Sequence, residues 1–292
     1  MGSKSKVIER IARFFPNAEN FYDLFGGGFS VSHYMIENRS KSYSNFYYNE
    51  LRPGLPDLIK DAIAGKYSYK NFKPEWISRE RFFAEKESNI YIKIVWSFGN
   101  EGSSYIFGKE IEQQKRSMHQ AIIFDEFDSW FIDTFGLSSW PSNLSITGRR
   151  LYLRKICISI KHIKYGQGAA NILQQLERLE RLERLELTNL DYRQVKIKPN
   201  SVIYCDIPYK NTADYGNNFS HDDFFNWAST QENPVFISEY RIDDNRFFLL
   251  KEFSHRSTVS NGLNQEVTER LYGNKIAYNI IQKAIGAKHG KT

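Results

Sequence analysis

Cysteine is nearly absent: Cys157 and Cys205 are the only two in 292 residues, and each lies in an apolar run. That excludes a disulfide-stapled scaffold and a paired-cysteine zinc site, and two buried free thiols in a reducing compartment are expected. Metal-ligand spacing is missing elsewhere too, so no metal is expected. No apolar run is long enough to cross a bilayer, and no apolar segment follows the opening M-G-S-K-S-K. A cytoplasmic protein is therefore expected, neither secreted nor membrane-spanning. Ser5 stands one position short of the myristoylation pattern. Two phosphate-binding fingerprints are also missing. The G-x-G-x-x-G spacing fails after the glycines at 26–28 because position 31 is Val31, and no Gly-Lys-Ser/Thr follows. The expected cofactor has no phosphate for that turn to cradle.

The chain does carry an excess of base, 40 Lys+Arg against 34 Asp+Glu, a net charge of +6 that favours a polyanionic partner. Aromatic residues make up 15%, enough for a large core and for base stacking from loops. The most informative run is V-I-Y-C-D-I-P-Y-K at 202–210. Four apolar or small residues read as a buried parallel strand, and the strand ends on Asp206, Ile207, Pro208 and Tyr209. Ligands of open α/β sheets lie beyond the carboxyl ends of strands. A carboxylate, a proline-stiffened turn and an aromatic face at that place suit a planar base with an exocyclic amine. The carboxylate accepts one N–H, a backbone carbonyl accepts another, and the ring stacks on Tyr209.

Along the chain, apolar spacing predicts a helix over 5–15, then a strand at 21–25 that runs into Gly26, Gly27 and Gly28, and a helix from Ser30. Strand, glycine turn and helix form the first unit of a nucleotide-binding α/β fold. A second strand is expected at 43–48, ending at Glu50, an acid 27 residues beyond Asp23 and placed to grip ribose hydroxyls. Helices are expected at 56–64 and after Ser78, and a strand at 90–96. Two basic clusters follow, Lys109, Lys115 and Arg116, then Arg149, Arg150, Arg154, Lys155, Lys161 and Lys164, with Tyr152 and Tyr165 interleaved; they suit phosphate and base contact. The Leu-Glu-Arg repeat at 176–187 predicts a solvated helix. Further on, a capped helix is expected at 220–227, strands at 235–240 and around Phe248, and a frayed basic tail from Gly286.

Several of these motifs recur in order. M-G-S-K, D-L-F-G-G-G, N-E-L-R-P, a long insertion, Y-C-D-I-P-Y, F-I-S-E-Y and E-R-L-Y together resemble the Dam-type family of adenine-specific DNA methyltransferases. The resemblance implies a Rossmann-like α/β methyltransferase fold that uses S-adenosyl-L-methionine. Residues 1–60 and 187–292 would be catalytic, and 61–186 an inserted target-recognition domain. It implies cofactor contacts at Lys4, Asp23, Phe25, Gly26, Gly27, Gly28, Glu50, Asp191, Tyr192 and Asp206. It implies a catalytic motif at Asp206, Ile207, Pro208 and Tyr209, acting on adenine flipped from double-stranded DNA. It places DNA contact in the insertion, where the candidates are Lys109, Lys115, Arg116, Arg149, Arg150 and Arg154. A cytoplasmic bacterial or phage-encoded enzyme follows, with a companion restriction enzyme not required. Phe29, the lack of an aromatic before Gly2, and Ile207 in place of the motif's first proline depart from the family pattern. Methylation of the cytosine amine, a DNA-binding relative without catalysis, and an unrelated α/β protein are the alternatives.

Overall fold

The computed structural model describes residue 4 and residues 7–159, 182–209, 219–258 and 264–289. The chain divides into two compact units, residues 2–56 with 179–292, and residues 57–178. In chain order the first unit begins with α1 (Ile8–Ala12), β1 (Asn20–Asp23), α2 (Ser30–Arg39) and β2 (Asn45–Asn49). The helical stretch follows, with α3 (Leu55–Ile63), α4 (Arg79–Glu85), α5 (Ile90–Val95), α6 (Glu112–Phe124), α7 (Ser129–Phe135) and α8 (Ile146–Ser159). The chain then returns through β3 (Leu185–Thr188), β4 (Ser201–Cys205), α9 (His221–Ser229), β5 (Val235–Glu239), β6 (Phe248–Thr258), β7 (Asn264–Gly273) and α10 (Lys275–His289).

Seven strands form one sheet in the order β3-β2-β1-β4-β5-β7-β6. The first five run parallel, and β7 inserts antiparallel between β5 and β6. This is a Rossmann-like α/β fold. Its strand order reverses between β1 and β4, where α/β sheets open a crevice for ligands. The central strands are apolar on both faces, as parallel strands covered on both sides must be. On one face Tyr22, Ile203, Cys205, Val235 and Ile237 pack with Phe224 and Ala228 of α9. On the other, Phe21, Tyr204 and Phe236 close around Phe15, with ring centroids 4.9–5.6 Å from it. Each fully buried large side chain contributes roughly 1.5–3 kcal/mol.

The helical unit has its own core, in which Met118, Ile122, Phe131, Trp140 and Leu153 join α6, α7 and α8. Ser78 caps α4 as its sequence indicates, accepting from Arg81 N at 3.2 Å. Three local expectations are corrected. Residues 90–95 are helical rather than a strand, because the Asn89 side chain caps Ile92 N at 3.2 Å and turns Ile92 and Val95 inward. The described end of the Leu-Glu-Arg repeat is not a helix: Leu182–Arg184 is a short 3-10 turn, and Leu185 to Leu187 pair with Phe46 to Tyr48 in β3. Pairing with the open edge of β2 outweighs helix propensity there, and Arg184 donates to the carbonyls of Ser40, Tyr43 and Ser44. Residues 160–181, including Lys161, Lys164, Tyr165 and most of the repeat, lie outside the described residues. Gly286 sits inside α10, which continues to His289 rather than fraying. Asn274 starts that helix by accepting from Ala277 N at 3.0 Å.

Candidate active site

The site forms at the carboxyl edge of β1, β2 and β4. Parallel pairing sets Asp23 beside Tyr48 and Tyr204, so the glycine turn after β1 and the Asp-Ile-Pro-Tyr turn after β4 leave the sheet side by side. Leu24 N donates to Tyr204 O at 3.1 Å and fixes that register.

The glycine turn is built around Tyr48. A Cβ on Gly26 would fall 2.1 Å from Tyr48 Cε2. The Tyr48 hydroxyl donates to Gly27 O at 2.7 Å, and Gly27 takes φ +49°. Phe29, also left-handed at φ +67°, is buried edge-on against the same tyrosine, 5.2 Å between centroids. Phe29 is thus a packing residue of the turn. Glu50 holds the turn from the next strand, accepting from Gly27 N at 2.8 Å through one oxygen and from Arg52 N at 2.9 Å through the other. Phe25 packs with Tyr192 and Phe224, centroids 5.5 and 5.6 Å away. Tyr192 is a core residue of this aromatic cluster, and Asp191 caps its short turn while pairing with Arg193 at 2.8 Å. Gly28 is exposed.

Asp23 is buried, and its Oδ2 accepts from Ser32 N at 3.2 Å and Ser32 Oγ at 2.7 Å. A carboxylate therefore fills the start of α2, the place where dinucleotide folds seat a pyrophosphate. Its other oxygen, Oδ1, is buried with no hydrogen-bond partner among the described residues. Burial, opposed by the Ser32 bond and reinforced by Asp206 and Glu50, pushes the Asp23 carboxyl up to about 7. Three acids around a phosphate-free turn suit a cationic ligand with hydroxyl groups. The sulfonium, ammonium and ribose of S-adenosylmethionine meet that description, and a nucleotide phosphate does not.

Lys4 completes the second turn. Its side chain is 3% exposed and its ammonium lies 2.9 Å from Asp206 Oδ1, where Asp206 is 22% exposed. The same nitrogen donates to the Tyr209 hydroxyl and lies 3.5 Å from Glu269 Oε2. Burial alone would lower the Lys4 pKa; Asp206, Tyr204 and Glu269 together raise it above its ordinary value. Burial raises the Asp206 carboxyl, and Lys4 opposes that rise. Lys4, expected at the cofactor, is thus bonded to Asp206, the candidate catalytic carboxylate. Ile207 is 2% exposed and packs into the core with Tyr22, Leu24 and Ile203, so burial rather than a second proline ring holds its backbone. Tyr209 is half-buried, and its ring meets Tyr240 at 4.4 Å and 61°. Pro208 O accepts from His221 Nε2 at 2.9 Å.

The basic residues of the helical unit divide by orientation. Arg149 is spent internally, donating to Leu144 O at 3.1 Å and Ile122 O at 3.2 Å and pairing with Asp125 at 3.1 Å. Arg150 lies 5.2 Å over the Tyr69 ring, and Lys115 is partly buried near Cys157, its pKa lowered by that burial. Lys109, Arg116 and Arg154 are exposed. Sequence reasoning missed Tyr48, Asn49, His221, Glu239 and Glu269. Asn49 joins three segments here: its Nδ2 donates to Leu24 O at 3.2 Å and Leu190 O at 2.9 Å, and its Oδ1 accepts from Thr188 Oγ1 at 2.8 Å.

No protein-family model matches the sequence, and no curated protein does. Among solved structures the chain is similar to the rRNA methyltransferase AviRa from Streptomyces viridochromogenes, in structures at 1.5 and 2.4 Å. Identity is 10% and 11%, with TM-scores of 0.37 and 0.34. The alignments cover 94% and 91% of this chain and 84% and 82% of that one. A likeness this loose transfers no residue role. No helix among the described residues is long and apolar enough to cross a membrane.

Proposed function

We propose that the protein is a site-specific DNA methyltransferase acting on the exocyclic N6 amine of adenine. The observation that carries this reading is the adjacency of two turns at one sheet edge. One is an acid-lined glycine turn that lacks a phosphate-binding fingerprint, and the other is an Asp-Ile-Pro-Tyr turn whose carboxylate is paired with Lys4. S-adenosylmethionine, when bound, supplies an electrophilic sulfonium methyl. Glu50 and the backbone of Gly26 to Gly28 would hold it, and the acids around the turn would favour its positive charge.

An adenine amine is paired inside a duplex, so the base must leave the stack to react. Tyr209 offers it a flat face. Asp206 and the Ile207 carbonyl each accept one amine hydrogen, which draws the nitrogen lone pair out of conjugation and aims it. Lys4 opposes the rise that burial imposes on Asp206 and so favours its ionised, accepting form. Positioning and fixed charge supply the rate, with no covalent enzyme intermediate. The methylated nitrogen's surplus proton passes toward Asp206. The insertion, with Lys109, Arg116 and Arg154 outward, would contact the duplex.

The test incubates purified protein with labelled S-adenosylmethionine and duplex DNA, followed by nucleoside analysis. Label in N6-methyladenine, abolished in Asp206→Ala while the fold persists, supports the proposal. Label in N4-methylcytosine corrects the base, and label only in RNA replaces the substrate. An active Asp206→Ala variant refutes the role of the carboxylate.

A further inference from the structure

The proposed reaction leaves one contact unexplained, the hydrogen bond from His221 to the carbonyl of Pro208. The turn must hold the Ile207 carbonyl toward the amine. The peptide that carries this carbonyl has a proline nitrogen and hence no N–H with which to anchor it. The next carbonyl, Pro208 O, is the nearest backbone handle. His221 Nε2 grips it at 2.9 Å. Because the carbonyl can only accept, Nε2 carries the donated proton.

The imidazole is itself held. His221 is the first residue of α9, whose start is fixed by Ser220 accepting from Asp223 N at 3.1 Å. Its ring packs edge-on to Phe219 at 5.0 Å and faces Phe225 at 6.2 Å. From β5, Glu239 brings a carboxylate 3.9 Å from His221 Nε2, although Glu239 is only 2% exposed. The other Glu239 oxygen accepts from Tyr240 N at 2.6 Å. Asp222 and Asp223, on the helix itself, are exposed. The turn carbonyl and the buried acid thus lie beside one imidazole nitrogen, which hydrogen-bonds to the carbonyl.

We propose that His221 is a positioning residue that holds the Asp206–Tyr209 turn through the Pro208 carbonyl. It supplies stiffness where Ile207 stands in place of a ring. This inference rests on the proposed methyl transfer for its kinetic consequence, but not for its structural one.

The experiment compares the full-length protein with His221→Ala and His221→Gln, since the Gln amide can present an N–H near the position of Nε2. Two readouts are taken: steady-state methyl transfer to duplex DNA, and hydrogen exchange at the amides of Asp206, Ile207 and Tyr209. In His221→Ala, kcat falls by about 100-fold, the scale of a misplaced reacting group, while S-adenosylmethionine affinity holds. Exchange in the turn quickens, and His221→Gln restores most of both. A lower melting temperature with unchanged kcat and unchanged exchange makes His221 a packing residue and overturns the proposal. If the wild-type protein transfers no methyl to DNA, the functional reading falls. The exchange comparison then decides this one alone, and equal exchange in all three proteins refutes it.

Discussion

Replacing Lys4 by methionine keeps the apolar stem and removes the charge that faces Asp206. Two unit charges about 4 Å apart interact by about 4 kcal/mol at an effective dielectric near 20. Asp206 is 22% exposed and Glu269 shares the ammonium at 3.5 Å, so roughly half of that, about 2 kcal/mol, is a reasonable net value. Losing that attraction raises the Asp206 pKa further. The sign follows from the balance at the carboxyl: burial and Glu269 raise it, Lys4 and the Tyr209 hydroxyl oppose, and removing Lys4 takes away the larger opposing influence. Lys4 itself is charged in folded and unfolded chains between about pH 6 and 9, so the shift in that range belongs to Asp206. A protonated Asp206 loses an acceptor site for the amine. The acid limb of the kcat–pH profile should therefore move to higher pH, with activity recovering at high pH, and Lys4→Arg should stay close to wild type. The assay is transfer of labelled methyl to duplex DNA at saturating substrates across pH. An unmoved acid limb with wild-type kcat in Lys4→Met would refute the reasoning.

Four further substitutions extend the predictions. Asp23 is raised to about 7 in the folded chain from an ordinary 3.8, so the folded state binds the proton more tightly and stability declines as pH rises through that interval. Asp23→Asn should abolish that decline, seen as urea midpoints that no longer fall toward pH 8; identical slopes in both proteins would contradict it. Gly26→Ala puts a methyl 2.1 Å from the buried Tyr48 ring, which is tethered to Gly27, and should cost about 1–3 kcal/mol together with cofactor affinity. Calorimetric titration and urea unfolding check both. Arg149→Ala breaks two carbonyl bonds and an ion pair and should destabilise the protein by about 1–3 kcal/mol. By contrast, Arg154→Ala should leave stability alone, weaken DNA binding and lower the salt slope by about one. Equal behaviour of the two variants in unfolding and anisotropy would reject the division.

What the sequence discloses depends on how local the cause is. The strand ending at Cys205 is legible because a parallel strand buried on both faces is a continuous apolar run, and Asp206 and Pro208 mark its end. The turn at Gly26 to Gly28 and the Ser78 cap are legible for the same reason, since each is decided within a few residues. β3 is not, because a leucine-rich repeat of helix formers becomes a strand only through the edge of β2, far away in the chain. α5 misleads in the opposite sense, its alternating isoleucines suggesting a strand while Asn89 caps a helix. In the site, Lys4 was marked by resemblance, yet its bond to Asp206 depends on folding. His221 and Glu239 carried a weak signal, one in the first turn of a capped helix and one at a strand's carboxyl end, the position that singled out Asp206.

The claim on which the rest depends is that Asp206, the Ile207 carbonyl and Tyr209 hold a flipped adenine. Its most direct test is single-site modification sequencing of DNA from a host that makes the wild-type protein or Asp206→Ala. The account predicts N6-methyladenine at one fixed short sequence with the wild type and its disappearance with the variant. Unmodified adenine in both hosts, or equal modification in both, would contradict it.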